Sequence, residues 1–224
     1  MPIQDASERQ PTSIVIVDDH EAILEGTLSS LQKLYPETKF FTAQTAQAAK
    51  EKIDSIQPDL VVMDLSIPPK PQEMAQTEVG IQLLRSLMKE HPQLNFVVQS
   101  AHVRSLVRLK PAIEIHQGGF TISDKSSPMR EMLTRVDWAL QGLVYTPREM
   151  RTNLEVKPEW LEVLQLAFQD GLQDKAIAEQ MNVSERTVRH YWTRVQDALG
   201  VYPDEGKNIR IQTEIRARQE GLLD

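Results

Sequence analysis

The chain has 224 residues, of which 40% are hydrophobic, and this is enough to bury a core in one large domain or in two small ones. It contains no cysteine, which excludes disulfide bonds, thiolate metal sites and cysteine nucleophiles and is typical of a protein from a reducing compartment. Its formal net charge of -7 argues against a nucleic-acid partner for the chain as a whole, because phosphate contacts need Lys and Arg. Nucleic-acid binding would therefore need a local excess of basic residues.

The N-terminal segment is polar and lacks the basic and apolar regions of a secretory signal. No apolar run approaches the roughly 18 residues that are needed to cross a bilayer. We therefore expect a cytoplasmic protein that is neither exported nor associated with a membrane.

The first part of the chain alternates between strand-like and helix-like patterns. Two short apolar runs, 14–17 and 60–63, are rich in β-branched residues and each stops at an aspartate, as central parallel strands do. The same reading predicts further strands at 39–43, 95–99 and 120–123, and helices at 20–34, 45–56, 79–89 and 128–141. This alternation predicts an α/β domain with a doubly wound sheet of five parallel strands.

After Gly142 the strand-like runs disappear, and the segment 145–157 is polar and marked by a proline, as linkers are. Residues 158–199 have helical periodicity throughout, and a further helical stretch covers 209–219. We therefore predict a first domain at 12–142, a linker at 143–157 and a small all-α domain at 158–224.

Three aspartates are predicted to lie together at one edge of the sheet. Asp18 and Asp19 follow the first strand and Asp64 follows the third, and sites in doubly wound sheets form outside the carboxyl ends of the strands. Carboxylates this close repel one another unless they share a cation, and their hard oxygen ligands suit Mg²⁺. We expect no cysteine or histidine to compete for the metal there. The alternative, for each aspartate taken alone, is that it caps the following helix.

Two motifs at these strands, VDDHEAILEG at 17–26 and VVMDLSIP at 61–68, resemble those of response-regulator receivers of the NarL/FixJ type. The resemblance covers most of the residues 14–141 and implies a flavodoxin-like receiver domain whose phosphoryl donor is a sensor histidine kinase. It implies that Asp64 is the phosphoacceptor, that Asp18 and Asp19 hold Mg²⁺, and that the backbone carbonyl of Ser66 completes the metal shell. Pro68 matches the proline that follows the acceptor in the family.

Two further residues of the receiver are expected to respond to the phosphoryl group. Ser100, in the motif VVQSAH, matches the switch hydroxyl of the family, and its alternative is an ordinary loop serine. The family's lysine falls here on Ser123, and the nearest lysine is Lys125, two residues later. We assign the role to Lys125 through a local bulge, because the chemistry needs a positive charge. The alternative is a solvated surface lysine.

Two features depart from the family. The loop that contains residues 69–79 is longer than its counterparts and is expected to lie beside the acceptor, where it would be able to gate access. Pro111 falls where the fourth helix should run, and a proline removes a backbone donor and breaks or kinks a helix. Both departures suggest that switching differs from the usual pattern.

The segment 172–201 (LQDKAIAEQMNVSERTVRHYWTRVQDALGV) is predicted to form two helices joined by a short turn at 181–183, with Ser184 as the N-cap of the second. It resembles the LuxR-type helix-turn-helix, with a supporting helix at 175–181 and a recognition helix at 185–199. The helical period places an apolar set on the buried face, which comprises Val188, Trp192, Val195 and Leu199. The opposite face carries Arg186, His190 and Thr193 and is flanked by Arg189 and Arg194, and these five residues are the predicted DNA-binding surface.

The predicted recognition helix carries three arginines and two acids, so its excess charge is only +1. So small an excess predicts modest affinity of a monomer for double-stranded DNA, and hence an active homodimer and strong salt dependence. A solvated charged face is the alternative. Three apolar residues of the last helix, Ile209, Ile211 and Ile215, either pack inward or extend a dimer contact.

Three functions compete. The first is a transcription regulator switched by phosphorylation of Asp64. The second keeps DNA binding but replaces phosphorylation by a protein partner or ligand, as the displaced Lys125 and the long loop suggest. The third is an aspartate-based phosphohydrolase, against which the helix-turn-helix argues strongly, and we therefore expect a protein that is not an enzyme.

Overall fold

A computed structural model describes residues 11–101, 103–147, 150 and 157–223. The chain divides into two compact units, the first comprising Met1–Val103 and Ala112–Arg148 and the second comprising Arg104–Pro111 and Glu149–Asp224. The N-terminal segment and most of the predicted linker lie outside the described residues. The predicted domain bounds of 12–142, 143–157 and 158–224 stay a prediction.

The first unit is built on a parallel sheet of six strands in the order β2-β1-β3-β4-β5-β6. The apolar runs predicted as central strands are fully buried, because a parallel sheet is covered on both faces. The strands are β1 (Ser13–Val17), β2 (Lys39–Ala43), β3 (Leu60–Asp64), β4 (Asn95–Ser100), β5 (Phe120–Asp124) and β6 (Val144–Tyr145).

Helices alternate with these strands, as the sequence pattern predicts. They are α1 (Glu21–Leu34), α2 (Ala46–Ile56), α3 (Thr77–Glu90), α4 (Lys110–Ile115) and α5 (Met129–Leu140). One core joins α1 and α5 to the sheet, and in it Leu31 and Val136 pack with Ile16, Val62 and Val97. The doubly wound architecture is thereby confirmed.

The prediction of five strands is wrong, because a short sixth strand follows α5. Val144 and Tyr145 pair in parallel with Phe120 and Thr121 of β5. Two residues are too few to show a periodicity, and a polar segment follows them directly, so the sequence reads as linker from Tyr145 onward. The Tyr145 ring contacts α5, where the guanidinium of Arg135 lies 3.6 Å from its centroid.

Two residues shape the backbone near the carboxyl end of the sheet. Pro111 stands in the first turn of the short α4, where proline is tolerated, and the preceding Val103–Leu109 segment is a 3₁₀ helix. The expected break in the fourth helix is therefore observed. Gly80 allows α3 to approach β3 closely, since a β-carbon there would lie 2.1 Å from the carbonyl oxygen of Leu65.

The second unit contains four further helices, α6 (Pro158–Phe168), α7 (Asp174–Gln180), α8 (Glu185–Leu199) and α9 (Ile209–Gln219). The Ser184 hydroxyl accepts a hydrogen bond from the Thr187 N–H at 3.1 Å, so the predicted N-cap of α8 is confirmed. Gly200 ends α8 with a φ of 65°, a left-handed conformation that favours glycine. Val188, Trp192, Val195 and Leu199 are buried, as predicted. The helix-turn-helix and its boundaries therefore match the sequence reading closely.

Candidate acidic site and candidate nucleic-acid interface

Two carboxylates meet at the carboxyl end of the sheet because their strands are neighbours. Asp18 directly follows β1, and Asp64 is the last residue of β3. The register of the two strands pairs Val17 with Met63, which places the following aspartates side by side. Asp18 and Asp64 are only 2% and 4% exposed. Two buried acids this close require a positive partner.

Lys125 supplies that positive charge in the described structure. Its Nζ lies 2.7 Å from an Asp18 carboxylate oxygen and 2.8 Å from an Asp64 carboxylate oxygen. Burial by itself lowers the pKa of Lys125, but its hydrogen bonds and charge interactions with Asp18 and Asp64 prevail and raise that pKa above the ordinary value. Lys125 is therefore held as an ammonium ion between the two acids. Ser123, the alternative position, carries no charge to place there.

Burial and hydrogen bonding oppose each other at Asp64. Desolvation raises the pKa of the Asp64 carboxyl above its ordinary value, while Lys125 and a backbone hydrogen bond from Ser66 act in the opposite direction. The Leu65 N–H also donates to Oδ1 at 2.7 Å. One oxygen of Asp64 is therefore held by backbone donors while the other faces the ammonium group.

A tight turn after β5 brings Lys125 back to the acids. The Asp124 side chain accepts hydrogen bonds from the N–H and the hydroxyl of Ser126, both at 2.7 Å, and the Ser127 N–H donates to the Asp124 carbonyl at 3.0 Å. The turn lies where the sequence predicts a bulge. Ser123 lies on the same face of β5 as Thr121, whose hydroxyl donates to the Arg135 carbonyl of α5. The Ser123 hydroxyl is buried and has no hydrogen-bond partner among the described residues.

Asp19 lies farther out and contacts a histidine. His20 Nδ1 is 2.7 Å from Asp19 Oδ1 and 3.5 Å from Asp18 Oδ1, and the three residues form a group that could hold a metal ion. The expectation that no histidine would lie near these carboxylates is therefore wrong, because His20, which directly precedes α1, turns its ring toward them. The alternative that these aspartates cap the following helix holds only in part. Asp18 Oδ1 accepts the His20 N–H at 2.9 Å just before α1, but the N-cap residue of α1 makes no side-chain hydrogen bond.

The remaining receiver residues lie around this edge. Ser100 ends β4 and is buried, and its carbonyl accepts the Lys125 N–H at 3.4 Å. Ser66 lies two residues after Asp64 and is partly exposed.

The long loop is attached at its base and exposed at its tip. Ile67 and Gln76 form an antiparallel bridge, and the carbonyls of Pro68 and Pro69 accept the N–H groups of Ala46 and Gln47 at 2.9 and 3.1 Å. Met74, at the tip, is 78% exposed. The base of the loop is therefore hydrogen-bonded to the first turn of α2. Its role in gating access to Asp64 stays a prediction.

The predicted DNA-binding residues share one exposed face of α8. Arg186, Arg189, His190, Thr193 and Arg194 are all exposed. Within the part of the chain that the structure describes, no carboxylate pairs with the three arginines. On α9, by contrast, Arg216 pairs with Glu220 and Arg218 pairs with Glu214, both at 2.9 Å. The arginines predicted to meet phosphate are thus unpaired among the described residues, unlike Arg216 and Arg218 of α9.

Some residues near these sites escape sequence reasoning. Lys175 is exposed on α7, and the only sequence signal that could have marked it as a candidate for DNA contact is its position in the supporting helix. Asp174 and Arg210 form an ion pair across 36 positions of the chain, for which the sequence carries no signal.

Comparisons with known proteins agree with the two units. Residues 14–137 match the response regulator receiver domain family, and residues 160–204 match the family of bacterial regulatory proteins, luxR family. The first match alone spans more than half of the chain. The chain therefore belongs to the response regulators, as a transcriptional regulator with a receiver domain and a LuxR-type DNA-binding domain, and the resemblance to the NarL/FixJ type is confirmed.

The chain is similar over almost its full length to several characterised regulators. Transcriptional regulatory protein YdfI of Bacillus subtilis is 27% identical and covers 94% of this chain and 97% of its own length. Transcriptional regulatory protein DesR of the same organism is also 27% identical, over 93% of this chain and 98% of its own. The structure of RcsB from Salmonella enterica serovar Typhimurium, bound to promoter rprA with BeF3-, covers 92% of this chain and 97% of its own at 20% identity and a TM-score of 0.57. This structural likeness shows the fold.

None of the described helices combines the length and apolar character needed to cross a membrane.

Proposed function

We propose that a phosphoryl group, transferred from a sensor histidine kinase to Asp64, switches the DNA binding of this regulator. The observation that carries the proposal is the contact of Lys125 Nζ with both Asp18 and Asp64 at the carboxyl end of the sheet. A buried nucleophilic carboxylate beside a fixed ammonium group is suited to accept and stabilise a phosphoryl group. The family match supports the same reading.

In the proposed transfer, a carboxylate oxygen of Asp64 attacks phosphorus, and the bond between phosphorus and the donor nitrogen breaks. The leaving group takes the electron pair. Lys125 lies within reach of the new phosphoryl oxygens, and Ser100, at the end of the adjacent strand, offers a hydroxyl donor. Movement of Ser100 and Lys125 toward the phosphoryl group would transmit the change to the loops that follow β4 and β5.

The carboxylates also suit a divalent cation. Asp18, Asp19 and Asp64 with the carbonyl of Ser66 would hold Mg²⁺, since all four offer the hard oxygen atoms that this ion prefers. When bound, Mg²⁺ neutralises the negative charge that develops during transfer. The present partner of Asp18 and Asp64 is the Lys125 ammonium group, which supports the view that this edge requires a cation.

The output is proposed to be binding of double-stranded DNA by a homodimer in the cytoplasm. Arg186, Arg189 and Arg194 supply positive charge, and His190 and Thr193 supply donors that can reach base edges. All five are exposed on α8, and none of the described carboxylates pairs with the arginines, which supports this role.

Intact mass after incubation with Mg²⁺ and acetyl phosphate tests the proposal. We expect the wild type to gain one phosphoryl group and Asp64→Asn to gain none. Asp59→Asn is the matched control, because Asp59 lies just before the same strand at its opposite end, and it should be phosphorylated like the wild type. No adduct on the wild type would support control by a partner or ligand instead, and rapid turnover of the donor without an adduct would support a phosphohydrolase.

A further inference from the structure

One carboxylate connects three helices of the second unit. Asp174 is the first residue of α7, and its Oδ1 accepts a hydrogen bond from Trp192 Nε1 of α8 at 3.1 Å. Arg210 Nη2 of α9 donates to Oδ1 at 3.0 Å and to Oδ2 at 2.9 Å. The Arg210 guanidinium also stacks on the Trp192 ring, 3.5 Å from its centroid. These three residues form a closed triad, which we call the Asp174 triad.

The Asp174 triad restrains the helix that is proposed to read DNA. Trp192 is 3% exposed, and its indole N–H can only donate, so Asp174 sets the orientation in which the ring packs. Phe168 of α6 contacts the same ring edge-on at 5.6 Å. Because Trp192 is fixed on the buried face of α8, any rotation of α8 about its axis would move Arg186 and Arg189 on its exposed surface.

Arg210 balances the charge of the triad. Burial lowers the pKa of the Arg210 guanidinium, while Asp174 acts to raise it, so the pair is partly withdrawn from water. Without Arg210, a carboxylate would stand unpaired beside exposed Lys175 on the supporting helix. The triad therefore holds α9 against α7 and α8.

We propose that Asp174 is a positioning residue for DNA recognition, which acts through Trp192 to set the rotation of α8 and through Arg210 to keep α9 in place. This inference rests on the proposed DNA binding by α8. It predicts that loss of the triad harms recognition of specific sites more than binding to DNA in general. The reason is that the cations that contact phosphate stay in place while their alignment with base edges is lost.

The test uses the full chain and a DNA site selected by this protein from random sequences. Trp192→Phe keeps an aromatic ring at this position but removes the indole N–H that donates to Asp174, together with part of the ring contact to Arg210. We expect it to lose about tenfold in affinity for the selected site, because a hydrogen bond to a charged group is lost. Its affinity for unrelated DNA and the dependence of that affinity on salt should equal those of the wild type.

Asp174→Leu removes the triad entirely and should lose more specific affinity than Trp192→Phe, at unchanged dependence on salt. Glu179→Leu is the matched control, because it removes one negative charge from an exposed position of the same helix, and it should bind the selected site like the wild type. Circular dichroism and thermal melting identify variants that fail to fold, in which case Trp192→Phe decides.

Equal specific affinity of folded Trp192→Phe and the wild type would overturn the inference, even if the melting temperature falls. Arg186→Ala and Arg194→Ala in the same assay separate the two proposals. If Arg186→Ala and Arg194→Ala both bind like the wild type as well, then α8 does not read DNA and the proposed function itself fails. If Arg186→Ala weakens binding and the triad variants do not, only the positioning role of Asp174 is refuted.

Discussion

At the scale of single residues, one ammonium group contacts two buried carboxylates. Lys125 reaches Asp18 and Asp64 from the turn after β5, and that turn is held by the Asp124 side chain. Removing the Lys125 ammonium group would leave two buried carboxylates without compensation and would be strongly destabilising. The charge that we propose serves phosphoryl transfer therefore also stabilises the receiver before phosphorylation.

Asp64→Asn should not destabilise the receiver in the absence of Mg²⁺. Burial raises the pKa of Asp64, so its ionised form costs stability at neutral pH, whereas the amide carries no charge and Lys125 keeps Asp18 as a partner. We expect a melting temperature equal to that of the wild type or a few degrees higher, measured by circular dichroism at pH 7 with a chelator. A clear fall would show that the ion pair with Lys125 outweighs the cost of burial.

Millimolar Mg²⁺ should raise the melting temperature of the wild type but not that of Asp19→Ala. Asp19 is the most exposed of the three proposed carboxylate ligands, so its removal takes a ligand away with little loss of packing. His20→Gln is the control and should retain the effect, because Mg²⁺ prefers oxygen ligands to the imidazole nitrogen. Equal melting temperatures of the wild type with and without Mg²⁺ would contradict the metal site.

At the scale of elements, α8 separates packing from recognition on its two faces. Trp192 and Val188 are buried, whereas Arg186 and Arg194 project from the opposite side. Among the described residues no carboxylate pairs with the arginines of α8, whereas Arg216 of α9 pairs with Glu220 and Arg218 with Glu214. Positive charge available to DNA is therefore a property of α8 and not of its neighbour.

Substitution of two arginines of α8 should weaken DNA binding in different ways. Arg186→Ala should cost about 1–3 kcal/mol at the selected site and relax base preference if the side chain reaches a base edge. Arg194→Ala, on the flank, should weaken binding to all sequences and lower the salt slope by about one unit, as for a phosphate contact. Salt-dependent binding measurements check both.

Trp192→Ala is the control for these variants. It should unfold the helix-turn-helix, because truncation of a large buried aromatic side chain costs about 3–5 kcal/mol. Circular dichroism distinguishes this loss of structure from the loss of contact in the arginine variants. If both arginine variants bind like the wild type, α8 does not read DNA.

At the scale of the whole molecule, an acidic chain carries a locally basic surface. The net charge of -7 does not describe the exposed face of α8, where three arginines lie, whereas Asp174 and Glu214 of the neighbouring helices pair with the α9 cations Arg210 and Arg218. We therefore expect strong salt dependence of DNA binding, since attraction acts over the short range of the exposed arginines against an overall repulsion.

The stability of the receiver should depend on pH through His116. Burial lowers the pKa of the His116 imidazole below its ordinary value of 6.5, and Nε2 donates to the Leu94 carbonyl at 2.7 Å. A histidine with a lowered pKa contributes stability above its unfolded pKa, and this stability is lost as the pH falls below about 6.5. We expect His116→Gln to lose less stability than the wild type between pH 7.5 and 5.5 in thermal melts. The same loss in both would rule out this role.

Patterns along the chain predicted most of the fold and part of the site. The runs at β1 and β3 and the period of α8 predicted where Asp18, Asp64 and the exposed arginines lie, because burial imposes a local periodicity that a sequence displays. The short β6 was missed because two residues have no period. The contact of His20 with Asp19 was missed because it depends on the rotation of one ring.

The sequence by itself determined the two kinds of unit, the aspartates at the strand ends and the two faces of α8, since each follows from hydrophobic pattern and capping within a few residues. Only the tertiary structure decided that Lys125 reaches Asp18 and Asp64 across the turn after β5, and that Asp174, Trp192 and Arg210 close on one another. These contacts join residues far apart in the chain. Their formation depends on how packed elements direct side chains in space, which no local pattern encodes.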